Sequence, residues 1–152
     1  MSVLRNVLMV DDERILREFV SEVLGSEYNV IEAKNYDTGL EKYLNNKIDL
    51  VILDIDYREE LTGIDLLNQI KQNNSSIPVI MLSDLMETEN IVESIKHGAY
   101  DYISKNHETI DEELPLRVQS ALLRNLKERN YEYLKSEKRI TIQLSRSALK
   151  YC

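Results

Sequence analysis

A buried strand that ends in two acidic residues opens the pattern that decides the fold: VLMVDD at residues 7–12. The apolar run 7–10 is typical of a strand covered on both faces. The same arrangement recurs as LVILD at residues 50–54 and as VIMLS at residues 79–83. A short fifth strand around residues 102–103 ends near Lys105. Each of these predicted strands therefore ends in a polar or charged residue.

Amphipathic stretches separate the apolar runs. The sequence predicts another strand over 28–33, and helices over 14–24, 36–44, 64–72 and 89–97, with a last helix that begins near 113–115, where Pro115 is tolerated in a first turn. Ile15 and Leu44 are expected on the inward faces of the first two helices. Strands and helices in strict alternation imply right-handed crossovers, hence an α/β fold with a parallel sheet covered on both sides.

Composition narrows the class of protein further. The 152 residues are 43% hydrophobic and 30% charged, which indicates one globular domain with at most a short appendage. No apolar run approaches the ~18 residues of a membrane helix, and the start lacks the pattern of a signal peptide. The single cysteine, Cys152, excludes a disulfide framework, so we expect a cytoplasmic location without membrane association.

Charge is distributed unevenly along the chain. Residues 1–114 hold 10 Lys/Arg against 24 Asp/Glu, whereas residues 115–152 hold 9 against 3. Such an acidic body repels nucleic acid, and the basic tail offers no folded reader of bases. We therefore expect no direct binding of nucleic acid by this segment.

The residues at the strand ends point to phosphoryl-transfer chemistry. Ligands of open parallel sheets bind at the carboxyl ends of the strands, where Asp11, Asp12, Asp54, Ser83 and Lys105 would converge. Each pair of carboxylates at ~4 Å and an effective dielectric constant of ~20 repels by about 4 kcal/mol, so a cation must compensate. Mg²⁺ prefers such oxygen ligands, and a lysine pairs with phosphate oxygens. One carboxylate would then act as the nucleophile.

Four motifs in this order resemble the receiver domain of two-component response regulators: VLMVDDE (7–13), VILDIDY (51–57), VIMLSD (79–84) and GAYDYISK (98–105). The resemblance covers roughly residues 4–125. It implies a flavodoxin-like, doubly wound sheet of five parallel strands in the order 2-1-3-4-5. It also implies a receiver domain at 1–125 and a helical extension at 126–152.

The resemblance assigns a role to each residue of the site. Asp54 would accept a phosphoryl group from a sensor histidine kinase or a phosphotransfer protein. The side chains of Asp12 and Asp54 and the backbone carbonyl of Asp56 would bind Mg²⁺, while Asp11 would act mainly through a metal-bound water. Lys105 would hold a phosphoryl oxygen.

Two further residues are implied to read out the modification. Ser83 would move to hydrogen-bond the acyl phosphate, and Tyr102 resembles the switch aromatic that turns inward when Ser83 moves. The face formed by the fourth helix, the fifth strand and the fifth helix would then control an output domain or partner protein. The chain would be no enzyme beyond its own self-phosphorylation and self-dephosphorylation.

Several features depart from the family pattern. Asn106 stands where the family has a proline after a cis bond, Asp84 stands where it has a small residue, and the segment after Asp54 is about one residue longer. A degenerate receiver, which docks partners without phosphorylation, is therefore an alternative. The DID motif at 54–56 also resembles haloacid-dehalogenase-type phosphatases, but Arg58 replaces their threonine and the motif follows the third strand.

The tail shows a heptad repeat. Its positions are Leu116, Leu123, Asn130, Glu137 and Leu144, with Gln119, Leu126, Tyr133 and Ile140 between them. This spacing is typical of a helix that pairs with a second copy as a coiled coil. A solvated helix, or a linker to an output domain, is the alternative.

Overall fold

Five parallel strands form a single sheet. The computed structural model describes residues 3–55, 63–84 and 88–149. The strands are β1 (Arg5–Val10), β2 (Tyr28–Ala33), β3 (Leu50–Asp54), β4 (Val79–Ser83) and β5 (Asp101–Ser104). Their spatial order is β2-β1-β3-β4-β5, and every neighbouring pair is parallel. The predicted flavodoxin-like fold is confirmed.

One helix follows each strand. The helices are α1 (Arg14–Leu24), α2 (Tyr36–Asn45), α3 (Gly63–Asn73), α4 (Thr88–Lys96) and α5 (His107–Leu149). Side chains of α1 and of the first part of α5 pack on one face of the sheet, and those of α2, α3 and α4 pack on the other. The chain divides into two units, Met1–Leu122 and Leu123–Cys152, and the described part of the second unit is helical throughout.

The central strands are apolar at every position because both of their faces are covered. All residues of β3 and β4 are buried. Alternate side chains of a strand point to opposite faces, so Leu50 and Ile52 join the core beneath α1 and α5, while Val51 and Leu53 join the core beneath α2 and α3. This explains the continuous runs in the sequence.

The predicted inward faces of the first two helices were wrong at one residue each. Ile15 is 69% exposed and Leu44 is 59% exposed. The residues that α1 buries are Leu16, Val20 and Leu24, and those that α2 buries are Tyr36, Gly39 and Tyr43. In both helices the buried stripe repeats every three or four residues, and the mispredicted residue is adjacent in sequence, rotated about 100° away from that stripe.

The start of the last helix was also predicted wrongly. α5 begins at His107, and Pro115 lies in its interior. The Asn106 side chain accepts hydrogen bonds from the Glu108 and Thr109 amides at 2.9 and 3.4 Å, which is the action of an N-cap. Burial of Ile110 and Leu114 against the sheet stabilises the turns before the proline. The helix continues to Leu149, so the helical extension is confirmed.

None of the helices in the described part of the chain combines the length and the apolar character that a membrane crossing requires.

Candidate functional site

Three carboxylates meet at the carboxyl edge of the sheet. Asp11 and Asp12 follow β1, and Asp54 ends the neighbouring strand β3. One oxygen of each carboxylate lies within 4.8 Å of the corresponding oxygens of the other two. Asp11 and Asp54 are buried, whereas Asp12 is exposed. The cluster is therefore closed on the protein side and open to solvent at Asp12.

Lys105 reaches this cluster from the end of β5. Its Nζ lies 2.6 Å from Asp54 Oδ1 and 3.0 Å from Asp11 Oδ2, and only 10% of its side chain is exposed. The Lys105 amide donates to the Ser83 carbonyl at 3.0 Å, which fixes the point where the side chain leaves the sheet. One ammonium thus bridges the two buried carboxylates.

Burial and ion pairing act in opposite directions on the pKa of each of these groups, and the pKa values of Asp11 and Lys105 are both raised overall. Burial raises the pKa of Asp11, although the hydrogen bond from the Glu13 amide and the charge of Lys105 act to lower it. Burial acts to lower the pKa of Lys105, but its contacts with Asp54 and Asp11 outweigh this and raise the pKa above the ordinary value. Lys105 therefore remains an ammonium at neutral pH.

The carboxylate oxygens of this cluster are suitable ligands for a divalent cation. Asp11 Oδ1 accepts from the Glu13 amide at 2.8 Å, but the buried Oδ2 has only the charge contact with Lys105 and no aligned hydrogen bond within the described residues. Such an oxygen can accept a hydrogen bond from a water molecule that a metal ion holds. Carboxylate oxygens are the ligands that Mg²⁺ prefers, and the exposed side at Asp12 leaves room for the waters that it retains. Asp56, whose carbonyl was predicted as a ligand, lies outside the described residues.

Ser83 and Tyr102 lie on the two strands next to the cluster. Ser83 is the last residue of β4, beside β3, and it is buried. Tyr102 is buried in β5 and belongs to the core beneath α2, α3 and α4. The role of these two residues as a switch pair stays a prediction.

The unusual residue Asn106 holds the backbone beside Lys105 in another way than proline would. All peptide bonds of the described residues are trans, including the bond between Lys105 and Asn106. The Asn106 side chain caps α5, and the backbone N–H of Asn106 donates to Ser104 Oγ at 3.3 Å. Asp84, the other unusual residue, is exposed at the end of β4.

Two residues that the sequence analysis missed donate hydrogen bonds to backbone carbonyls of the acidic cluster. The Tyr36 hydroxyl donates to the Asp54 carbonyl at 3.0 Å. Arg17 Nη1 donates to the Asp11 carbonyl at 2.8 Å, while its Nε lies 3.3 Å from Glu32 Oε1. The available signal was position, because Tyr36 directly follows the β2–α2 turn at the same edge of the sheet.

Gly63 is a third such residue. A Cβ at Gly63 would lie 2.6 Å from the Asp54 carbonyl oxygen and 3.2 Å from the Ile55 Cα. Both of these are backbone atoms, which cannot move without displacing the end of β3. Glycine is therefore needed where α3 begins against the site.

The profile of the response regulator receiver domain matches residues 7–118. This chain belongs to that family. Response regulator ArlR of Staphylococcus haemolyticus is 33% identical over 120 residues, which are 78% of this chain and 53% of ArlR. The nitrogen assimilation regulatory protein NtrX of Azorhizobium caulinodans is 35% identical over 102 residues, which are 66% of this chain and 22% of NtrX. The chain thus spans about half the length of ArlR and less of NtrX.

Solved receiver structures share the fold over their whole length. The CheY-like receiver domain protein of Methanospirillum hungatei has a TM-score of 0.74 and 28% identity, and the match covers 83% of this chain and 99% of that protein. Response regulator TrrA of Thermotoga maritima, crystallised with Mg²⁺ and BeF, has a TM-score of 0.69 and 28% identity over 78% of this chain and all of TrrA. This chain therefore shares its fold with solved receiver domains.

Proposed function

We propose that this receiver accepts a phosphoryl group on Asp54 from a histidine kinase or a phosphotransfer protein, in a reaction that needs Mg²⁺. The observation that carries the proposal is the setting of the Asp54 carboxylate. It is buried at the centre of the edge, paired with Lys105, and within metal-ligand reach of Asp11 and Asp12. The crystal of TrrA with Mg²⁺ and BeF adds support from a relative.

The chemical step is a displacement at phosphorus. A carboxylate oxygen of Asp54 attacks the phosphorus of a phosphohistidine, the P–N bond breaks, and the imidazole leaves with a proton from solvent. Lys105 holds a phosphoryl oxygen, because its ammonium already lies 2.6 Å from Asp54 Oδ1. Asp12, Asp54 and the carbonyl of Asp56 would hold Mg²⁺, with Asp11 acting through a water. When bound, the ion would neutralise charge between the carboxylates and the phosphoryl oxygens.

The phosphoryl group would be read out through Ser83 and Tyr102. It adds roughly −1.5 to −2 charges at the sheet edge. Ser83 lies at the end of the strand next to Asp54, so its hydroxyl is the neighbouring donor that can turn toward the new oxygens. Tyr102 follows on β5, and the face of α4, β5 and the first part of α5 would then engage an output domain or partner protein.

In this proposal the chain is a phosphoacceptor and no turnover enzyme, and its location is cytoplasmic. The degenerate receiver remains the main competitor, since Asp84 and Asn106 depart from the family. The capped, trans backbone at Asn106 argues for an intact site, because Lys105 still reaches both buried carboxylates. The phosphatase alternative is disfavoured, because Asp54 ends the third strand along the chain.

Residues beyond Leu123 would pair two copies of the receiver. The described part of this unit is helical, and its apolar heptad positions are exposed: Leu123, Leu126, Tyr133, Ile140 and Leu144. Burying such a stripe against its equivalent in a second copy is the usual way to stabilise a long isolated helix.

A phosphorylation assay tests the proposal. The protein is incubated with acetyl phosphate, with and without Mg²⁺, and phosphoprotein is resolved by phosphate-affinity electrophoresis and located by mass spectrometry. We expect modification of Asp54 that requires Mg²⁺ and that is absent in Asp54→Asn. Modification without metal, or equal modification of Asp54→Asn, contradicts the proposal. A native protein that takes no phosphoryl group from any donor supports the degenerate receiver.

A further inference from the structure

A buried tyrosine is hydrogen-bonded to the backbone of the phosphoacceptor. Tyr36 is the first residue of α2, it is only 6% exposed, and its hydroxyl donates to the Asp54 carbonyl at 3.0 Å. That carbonyl belongs to the last residue of β3, where the regular pairing of the sheet ends. Tyr36 therefore supplies a hydrogen bond at a point where the strand ladder gives way to a loop.

The position of Tyr36 is itself tightly defined. The Asn35 side chain accepts from the Thr38 amide at 2.8 Å and so fixes the start of α2. Gly39, one turn further on, lets the helix approach β1, because a Cβ there would lie 2.9 Å from Val10 Cγ2. A capped first turn and a close helix–strand contact thus hold the phenol ring against the site.

We propose that Tyr36 is a positioning residue for Asp54, an inference that rests on the proposed phosphoacceptor role. The peptide group between Asp54 and Ile55 is held from two sides: the Ile55 amide donates to the Leu82 carbonyl at 3.0 Å, and the Asp54 carbonyl accepts from Tyr36. Together these bonds fix the plane of the peptide. The Asp54 Cα lies in that plane, so these bonds fix the position of the atom from which the carboxylate side chain branches.

Two quantities should depend on this bond. The first is Mg²⁺ affinity, because the Asp54 carboxylate is one of the groups that would bind the ion. The second is the rate of phosphoryl transfer, since a nucleophile must be held within about 0.5 Å of its productive position. Loss of one neutral hydrogen bond corresponds to a change of about five-fold in either quantity.

The chain offers a matched control for this test. Tyr43 lies on the same helix, is buried to the same degree (7% exposed), and its hydroxyl donates to Asn73 Oδ1 at 3.1 Å, two turns away from the site. Tyr36→Phe and Tyr43→Phe each remove one phenolic hydrogen bond from α2. Any general effect of that loss on packing or stability is therefore common to both variants.

The experiment compares wild type, Tyr36→Phe and Tyr43→Phe in three measurements. These are the Mg²⁺ dissociation constant by titration calorimetry, the initial rate of phosphorylation by acetyl phosphate at saturating Mg²⁺, and the ¹³C chemical shift of the Asp54 carbonyl in metal-free protein. We expect Tyr36→Phe to weaken Mg²⁺ binding and to slow phosphorylation by about five-fold each, and to shift the carbonyl resonance. Tyr43→Phe should leave the Mg²⁺ dissociation constant and the phosphorylation rate within about two-fold of wild type. Its Asp54 carbonyl resonance should coincide with that of wild type.

Equal behaviour of the two variants in affinity and rate would overturn the inference and leave the phosphoacceptor role intact. Failure of that role has a different signature, because wild type itself would then take no phosphoryl group. In that case the Mg²⁺ affinity and the carbonyl shift still decide whether Tyr36 positions the carboxylate.

Discussion

Two regions of the molecule depart from the usual distribution of side chains, in opposite directions. The edge of the sheet buries two carboxylates, Asp11 and Asp54, and leaves only 10% of the Lys105 side chain exposed. The helix from residue 123 to 149 exposes its apolar groups instead, with Leu134 at 62% and Leu144 at 66%. Ordinary globular domains do the reverse, since burying apolar groups is favourable and burying charges is costly.

The difference separates two kinds of functional surface. Each buried charge at the sheet edge depends on its partners, so removing one partner leaves the others uncompensated in a poorly solvated place. The exposed leucines and isoleucines of the helix contribute little to the stability of the first unit, and they remain available for contact with another molecule. Stability should therefore respond strongly to substitutions at the site and weakly to substitutions along the helix.

The largest expected effect comes from removing the bridging cation. Lys105→Met should lower the free energy of unfolding in metal-free buffer by about 3 kcal/mol, because Asp11 and Asp54 then remain buried without a counter-charge. Urea unfolding followed by circular dichroism measures it. Lys135→Met is the control, since Lys135 is exposed on the helix and its ammonium lies 5.9 Å from the centre of the Tyr131 ring. A loss as small as that of the control would mean that Lys105 does not neutralise the site.

A metal ion should stabilise the same site from its open side. At a Mg²⁺ concentration about 100 times its dissociation constant, the free energy of unfolding should rise by about 2.7 kcal/mol. Asp12→Asn should abolish most of this gain, because it removes the exposed ligand without disturbing the core. Asp111→Asn removes an equal charge from an exposed position of α5 and should retain the gain. Equal stabilisation of both variants would indicate non-specific screening and no site.

The sequence alone predicts much of the acidic site. The features that it does not predict all depend on how the helices pack on the sheet. Asp54 and Lys105 were predicted together because the ends of parallel strands meet at one edge, whatever the details of packing. The inward face of α1 was mispredicted at Ile15, because a rotation of one residue about the helix axis depends on how the helix lies on the sheet. Tyr36 was missed because its partner is a backbone atom 18 residues away, and this contact also depends on how the helix lies on the sheet.

The start of α5 shows a conflict between two local signals. Pro115 indicated a first turn, but Asn106 already caps the helix and Ile110 is buried against the sheet. Tertiary packing and the cap together outweigh the hydrogen bond that proline removes from the interior of the helix. Only the structure shows which signal dominates.

The dependence of stability on pH should reveal the cost of burying Asp11. Its pKa is raised in the folded state, mainly by burial, so the folded protein keeps this proton over a range in which the unfolded chain has lost it. The free energy of unfolding therefore falls as pH rises from the ordinary pKa of about 3.9 through the raised folded value. Lys105, whose pKa is raised, stays charged throughout this range and adds no slope.

The variant Asp11→Asn removes this contribution. The difference in stability between the variant and wild type should grow in favour of the variant as pH rises, and then level off above the folded pKa. Urea unfolding at a series of pH values in the presence of a chelator measures the difference. Two parallel stability profiles would mean that Asp11 carries no net cost of burial.

The smallest effects on stability are expected along the exposed helix, where association becomes the informative measurement. Ile140 and Ile142 are 55% and 45% exposed, so a serine at either position should change the free energy of unfolding by no more than about 0.5 kcal/mol.

Only Ile140 belongs to the heptad stripe. If that stripe pairs two copies, Ile140→Ser should weaken self-association in sedimentation equilibrium while Ile142→Ser should not. A wild type that stays monomeric, with and without beryllofluoride, excludes the pairing, and equal weakening by both variants excludes the heptad as its cause. Because the two substitutions are chemically identical and lie two residues apart, a difference between them can arise only from the face of the helix on which each residue lies.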